Sequence, residues 1–211
     1  MNEQEVSTLL RKVGAIITDS HIVYTSGKHG MAYVNKDAVY PHTEETSRLC
    51  RAIADKFAGD KVQVVIAPAI GGVILSQWTA HHLTEMSGHE VFALYAEKDE
   101  KGDSFLIKRG YDKLIGGKNV LVVEDVLTTG GSARKVVEAT RALGGNVVGL
   151  GVLCNRQGIT LRDVGDVPKL MALVNMDLDA WDEAECPLCR KDIPVNTSVG
   201  KGREFLARKK A

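Results

Sequence analysis

Apolar residues along the chain follow two rhythms, short unbroken runs and stripes at three- and four-residue spacing, and the two alternate. Val6, Leu9, Leu10 and Val13 share one side of a helix over residues 3–13, which Gly14 can end. Ile16 to Tyr24 alternates loosely, Thr25-Ser26-Gly27-Lys28-His29-Gly30 turns, and Met31 to Val34 returns, which predicts a hairpin outside the main sheet. A second helix follows Pro41. Thr43 is its expected cap, Glu44 and Glu45 fill its first turn, Leu49, Ile53 and Phe57 form its buried face, and Gly59 closes it. Val62 to Ile66 is a strand stopped at Pro68, and the small-residue loop Ala69-Ile70-Gly71-Gly72 leads into a helix from Val73 to about Leu83. With Val91 to Tyr95 as the next strand, this is the strand-helix-strand unit of parallel sheets.

Ala96 to Ser104 is charged and aperiodic, a solvated loop of the length that lids have. Phe105 to Ile107 reads as a short strand whose basic end, Lys108-Arg109-Gly110, could re-enter a site. Val120 to Val123 is a buried strand that ends abruptly in Glu124-Asp125-Val126-Leu127-Thr128-Thr129-Gly130-Gly131-Ser132. Val136, Val137, Thr140 and Leu143 then mark a helix stopped by Gly144-Gly145. Val147 to Leu153 is another buried strand, running out at Cys154-Asn155-Arg156, and Leu170 to Val174 is the last. The class is α/β, with a central, mostly parallel sheet flanked by helices.

Composition adds limits rather than direction. A chain of 211 residues, 44% hydrophobic and 26% charged, suits one soluble domain. Its formal net charge of +0 gives no reason to expect nucleic acid or a membrane as partner, so an anion site must be built locally. The acidic, polar Met1 to Glu5 is unlike a signal peptide, no apolar run approaches ~20 residues, and four cysteines are too sparse for a disulfide scaffold. A cytoplasmic location is the expectation. Cys186-Pro187-Leu188-Cys189 is half of a possible zinc site. Cys50 and Cys154 fall in predicted core elements, so a reduced pair without metal is the first reading, and a four-cysteine site shared across a dimer is the alternative.

The chemistry concentrates after the Val120 strand. Ligands of parallel sheets bind beyond the carboxyl ends of strands, and free amides at the next helix start attract anions. Gly130 and Gly131 let the backbone approach a phosphate, and Thr128, Thr129 and Ser132 add hydroxyls. Glu124 and Asp125 are acceptors, fit for the paired hydroxyls of a sugar or for a metal ion. The stretch therefore asks for a ribose 5-phosphate. A nucleotide P-loop needs a lysine after its glycines, and none follows Gly131. A dinucleotide fingerprint needs its acid about 20 residues downstream rather than ahead of the loop.

This stretch resembles the phosphoribosyl diphosphate (PRPP) motif of type I phosphoribosyltransferases. Thr-Ser-Gly-Lys-His-Gly, Glu45 to Cys50, Ala67 to Gly72, the lysine-bearing loop, Lys108-Arg109-Gly110 and Arg156 occur in the order seen in the orotate phosphoribosyltransferase family. The resemblance covers about residues 10–160. It implies a single phosphoribosyltransferase domain over 1–211, its core at about 40–160 and a hood from about 1–40 and part of 160–211. It also implies Mg²⁺ held mainly by PRPP rather than by protein ligands, and a homodimer in which Lys98 and Lys101 arrive on a closing loop from the other subunit. By the same resemblance Glu124 and Asp125 hold the ribose hydroxyls, Thr128 to Ser132 the 5-phosphate and Ala69 to Gly72 the pyrophosphate. Lys98, Lys101, Glu124 and Asp125 form the catalytic set, while Arg156, Thr128, Ser26 and Lys28 serve orotate. Thr25, Gly71 and Glu97 stand where relatives are often basic. Transfer to a purine base and non-catalytic PRPP sensing are the competing readings.

Overall fold

The computed structural model describes residues 1–100, 104–176 and 178–210. Helix α1 (Glu3–Lys12) is capped by Asn2, whose side chain accepts from the Glu5 amide while the Glu5 carboxylate accepts from the Asn2 amide. Four two-residue strands follow, β1 (Ile16–Ile17), β2 (Ile22–Val23), β3 (His29–Gly30) and β4 (Tyr33–Val34). The expected hairpin is thus two nested antiparallel ladders, β1 with β4 and β2 with β3. Asp19, at φ 56, interrupts the strand between them.

Helix α2 (Thr43–Phe57) starts one residue earlier than its expected cap: His42 holds the N-cap position, without a side-chain bond, and Thr43 is already helical. The start is secured instead by Thr46, whose amide bonds to the His42 carbonyl and whose hydroxyl donates to Val39. Next come β5 (Val64–Pro68), α3 (Gly72–Ser87) and β6 (Phe92–Lys98). Helix α3 outruns the expected Leu83 by a turn and stops at Gly88 in the left-handed region. Strand β6 also runs past Tyr95, because β7 (Phe105–Leu106) pairs back on Glu97 and Lys98. Ala96 is fully buried, so the segment expected to be wholly solvated leaves the sheet only after Lys98.

Strand β8 (Asn119–Leu127), helix α4 (Gly131–Ala142) and strands β9 (Asn146–Arg156) and β10 (Leu170–Met176) complete the sheet, and α5 (Gly202–Lys210) ends the chain. The sheet order is β10-β9-β8-β5-β6-β7, parallel except for β7. Helices α1, α2 and α3 cover one face and α4 the other. Strand β8 shows why its sequence is an unbroken apolar run. Leu121 and Val123 join the core under α2 and α3, while Val120 and Val122 join the core under α4. Both faces are dry. Each such side chain contributes about 1.5–3 kcal/mol by burial.

The β1–β4 segment is held by the tail of the chain. His29 and Trp181 exchange backbone hydrogen bonds, and the Asn196 amide donates to the His21 carbonyl. Among the described residues no helix is long and apolar enough to cross a membrane.

Candidate active site

The sheet order creates the site. From β5 the chain crosses through α3 to β6 on one side, whereas β8 lies on the other side and feeds α4 on the opposite face. Pairing of β5 with β8 reaches only Ile66 and Val122, so the two strands end beside an open crevice, where α/β sheets bind ligands. A cleft of about 620 Å³ occupies it. Its walls are the loop after β5, the loop after β8, the end of β9 and the segments around Tyr24 and Lys36.

The side of the cleft after β8 is backbone and hydroxyl. Thr128, Thr129, Gly130, Gly131 and Ser132 all line the cleft, together with Val126 and Leu127. Helix α4 begins at Gly131, so its first amides have no partners within the helix. Gly130 turns the loop at φ 75, and a Cβ there would lie 2.9 Å from Val164 Cγ1, so no other residue fits this turn unstrained.

The acids sit at the floor, Glu124 at 7% exposure and Asp125 at 4%. Asp125 is held by three donors. Lys36 Nζ donates to its Oδ2 at 2.7 Å, Tyr40 OH to the same oxygen at 3.3 Å, and the Val126 amide to Oδ1 at 2.7 Å. Burial and, second, the charge of Asp125 push the Glu124 carboxyl well above the usual carboxylate range. Burial and then Asp125 likewise raise Tyr40. For Lys36 burial works the other way, but the hydrogen bond and charge of Asp125 outweigh it and hold the ammonium above its ordinary value.

Ala69, Ile70 and Gly71 line the cleft opposite, and the Ala69–Ile70 peptide is cis. A Cβ on Gly71 would overlap both the Lys36 ammonium and the Asp125 carboxylate. Lys36, from a different segment, thus sets its ammonium where a side chain at position 71 would begin. Gly72 is buried at the start of α3 and is not part of the lining.

Arg156 ends β9 with its guanidinium carbon 4.3 Å from the centre of the Tyr24 ring. Its Nε is buried without a hydrogen-bond partner. Burial raises the Tyr24 hydroxyl, with Arg156 opposing, and that hydroxyl donates to the Ala32 carbonyl at 2.7 Å. Ser26 and Thr25 line the same end of the cleft. Lys28 does not. The turn carries its ammonium toward Asp182, 3.9 Å away. Lys98 lines the cleft, and Lys101 lies outside the described residues. Lys108 and Arg109 do not re-enter. Arg109 instead binds Glu97 at 2.7 Å, neutralising that acid.

Lys36, Tyr40 and Tyr24 were not singled out in the sequence. Two buried acids among threonines and glycines do demand a cation, but nothing local says which one.

The phosphoribosyl transferase domain family matches residues 36–184. Orotate phosphoribosyltransferase from Pelotomaculum thermopropionicum is 38% identical over 92% of this chain and 96% of its own length. The enzyme of that name from Thermus thermophilus is 37% identical over 90% of this chain and 98% of its own. Among solved structures, Mycobacterium tuberculosis orotate phosphoribosyltransferase superposes with a TM-score of 0.67 at 21% identity, covering 82% of this chain and 95% of that one. An adenine phosphoribosyltransferase from Thermoanaerobacter pseudethanolicus gives 0.61 at 19%, covering 83% and 100%, so the fold is common to enzymes named for different bases. The choice between them comes from sequence identity along nearly the whole chain, and on that ground the chain belongs to the orotate phosphoribosyltransferases of the phosphoribosyl transferase family.

Proposed function

We propose that the chain joins orotate to PRPP, forming orotidine 5′-monophosphate and pyrophosphate, a step of pyrimidine nucleotide synthesis. In this reaction the bond from C1 of the ribose to pyrophosphate breaks while N1 of orotate bonds to C1. Positive charge builds on the sugar and negative charge on the leaving group. The observation that carries the reading is the convergence on one crevice of an amide-and-hydroxyl loop, a buried acid pair, a backbone loop beside Lys36, and Arg156 with an unpartnered donor.

Thr128 to Ser132 and the first turn of α4 bind the 5-phosphate. Glu124 and Asp125 accept from the ribose hydroxyls and hold the ring rigidly while the bond lengthens. Ala69 to Gly71 offer backbone to the pyrophosphate, with Lys36 beside them and Lys98, at the end of the neighbouring strand, supplying positive charge. Arg156 grips the orotate carboxylate and Ser26 lines the base pocket. The oxygens of the acid pair already accept bonds from Lys36, Tyr40 and backbone amides, which does not suit an all-protein metal cage. It does suit Mg²⁺ carried in by the phosphates, with Glu124 and Asp125 at most bordering it. When bound, Mg²⁺ neutralises charge on the leaving pyrophosphate. A homodimer that exchanges the Lys101 loop, and a hood formed by residues 1–40 and the tail, belong to the same reading.

The test is to mix protein, PRPP and Mg²⁺ with orotate, uracil, adenine and hypoxanthine in turn and to measure pyrophosphate. Release with orotate alone is expected. Release with a purine instead would replace orotate as the substrate, and tight PRPP binding without release for any base would mark a sensor.

A further inference from the structure

Outside the cleft lining, four side chains that no step of the transfer uses converge at the join between the hairpin and the tail. They are His21, His29, Cys186 and Cys189, and their ligand atoms all lie within 4.8 Å of one another. His21, His29 and Cys186 are buried at 2%, 0% and 0% exposure. His21 Nε2 lies 2.8 Å from His29 Nδ1, 3.7 Å from Cys186 Sγ and 3.7 Å from Cys189 Sγ, and Cys189 Sγ lies 3.4 Å from His29 Nδ1.

We propose that these four residues bind one zinc ion, as a structural Cys₂His₂ site that fastens the tail to the base of the β2–β3 hairpin. Zinc takes four ligands tetrahedrally, with Zn–S about 2.3 Å and Zn–N about 2.0–2.1 Å. Those bond lengths set tetrahedral edges of about 3.3 Å between nitrogens and about 3.6 Å from nitrogen to sulfur. The observed nitrogen–sulfur separations already match, and the two nitrogens need part by only roughly half an ångström.

The hydrogen bonds around the cluster fit the same ligand set. His21 Nδ1 must be the donor to the Ile193 carbonyl, 2.7 Å away, because a carbonyl only accepts. That fixes the tautomer and leaves the Nε2 lone pair facing the cluster, the usual outer-shell arrangement of a metal-binding histidine. His29 Nε2 has no hydrogen-bond partner, so nothing else fixes its tautomer, and its ring sits edge-on to Phe205 with centroids 4.8 Å apart. After the Cys-Pro-Leu-Cys motif the chain turns, the Arg190 amide donating to the Cys186 carbonyl and the Asp192 amide to that of Cys189, and both sulfurs lie in the cluster. A hydrogen-bonded histidine pair would account for the nitrogen–nitrogen edge alone. It leaves unexplained why two thiols close on the same point. Two thiolates and Zn²⁺ sum to zero charge, which a buried site can hold.

The site has a mechanical role. Tyr24, Thr25 and Ser26, which line the cleft, follow directly on β2, whose ladder with β3 ends at the pair Val23 and His29. The ion would fix both strands of the hairpin whose turn lines the cleft.

The experiment uses full-length protein purified without a metal-chelating tag or chelator, its metal measured by elemental analysis. One zinc per chain is expected, retained in Cys50→Ala and His81→Ala and lost in Cys189→Ala and in His21→Ala. Because those variants could fail to fold, the wild-type chain is also stripped of metal and titrated with Co²⁺. The expected result is saturation at one equivalent, with the ligand-field bands of a tetrahedral site and a sulfur-to-metal charge-transfer band. Neither readout depends on the transferase reaction. Protein without zinc that also fails to give the cobalt spectrum would overturn the proposal. So would an intact mass lighter by two hydrogens, which marks a Cys186–Cys189 disulfide as the native state.

Discussion

Replacing Lys36 with methionine removes the ammonium from Asp125 and keeps most of the side-chain bulk. The pair is short, 2.7 Å, with the Asp125 side chain 5% and the Lys36 side chain 38% exposed. At an effective dielectric constant of about 20 the bare attraction at that distance is about 6 kcal/mol. Most of it is offset by dehydration of the carboxylate and by screening of the half-exposed ammonium. Stripping one partner from a buried pair costs about 3–5 kcal/mol when nothing replaces it. Here Tyr40 and the Val126 amide still donate to Asp125, and solvent reaches Lys36, so we expect K36M to lose about 2–3 kcal/mol. Urea unfolding at pH 7, followed by circular dichroism, measures this directly. In a D125N background the same replacement should cost less than about 0.5 kcal/mol, since no buried charge is left to strand. The pH dependence carries a sign. The folded chain holds the Lys36 proton above the ordinary value of 10.5. The contribution is therefore complete below that pH and disappears as pH climbs through the raised folded value, so the deficit of K36M should shrink in alkali. Because Lys36 also flanks Gly71, PRPP affinity by calorimetry should fall with it. An equal cost in both backgrounds, or a deficit that persists in alkali, would refute the account of the pair.

Four further outcomes are expected. R156A should lose orotate turnover by about 1.5–3 kcal/mol, a factor of roughly 10–150 in kcat/KM, with PRPP affinity nearly unchanged; an equal loss in PRPP binding would place Arg156 elsewhere in the mechanism. G130A forces a Cβ into the left-handed region and against Val164, costing roughly 1–2 kcal/mol of stability and weakening PRPP binding while circular dichroism stays native. E124Q tests the raised carboxyl: the folded chain keeps that proton while the unfolded chain loses it above the ordinary 4.5, so wild-type stability should decline from there toward neutral pH. The glutamine variant, unfolded in parallel at pH 4 and pH 7, should gain on wild type at the higher pH by on the order of 1–2 kcal/mol. F57A empties a fully buried site under Lys169 and should cost about 3–5 kcal/mol with no selective effect on either substrate.

What the sequence made legible, and what it hid, divides along physical lines. Strand β8 and its loop were readable because a strand buried on both faces must be apolar throughout, and its end must break sharply where it meets ligand. The far end of β6 was not. Glu97 and Lys98 are polar because they lie near the sheet edge, and only their pairing with Leu106 and Phe105 makes them a strand. The hairpin was visible as alternation, yet its division into two ladders depends on the backbone turn at Asp19. Lys36 stood in an unremarkable polar stretch, its partner 89 residues away. The Cys-x-x-Cys was plain, but its neighbours were not, since His21 and His29 meet it only through the tail's return to the hairpin.

That return sets an order on biosynthesis. His21 and Cys186 are 165 residues apart, so at ribosomal rates the hairpin waits roughly 10–30 s for the segment that fastens it. Meanwhile the sheet strands β5 to β10 emerge between them and can pair. The Tyr24 to Ser26 end of the cleft is thus assembled after its Thr128 to Ser132 end, and a nascent chain halted before the tail would carry the Thr128 to Ser132 loop without the tail contacts that hold the hairpin.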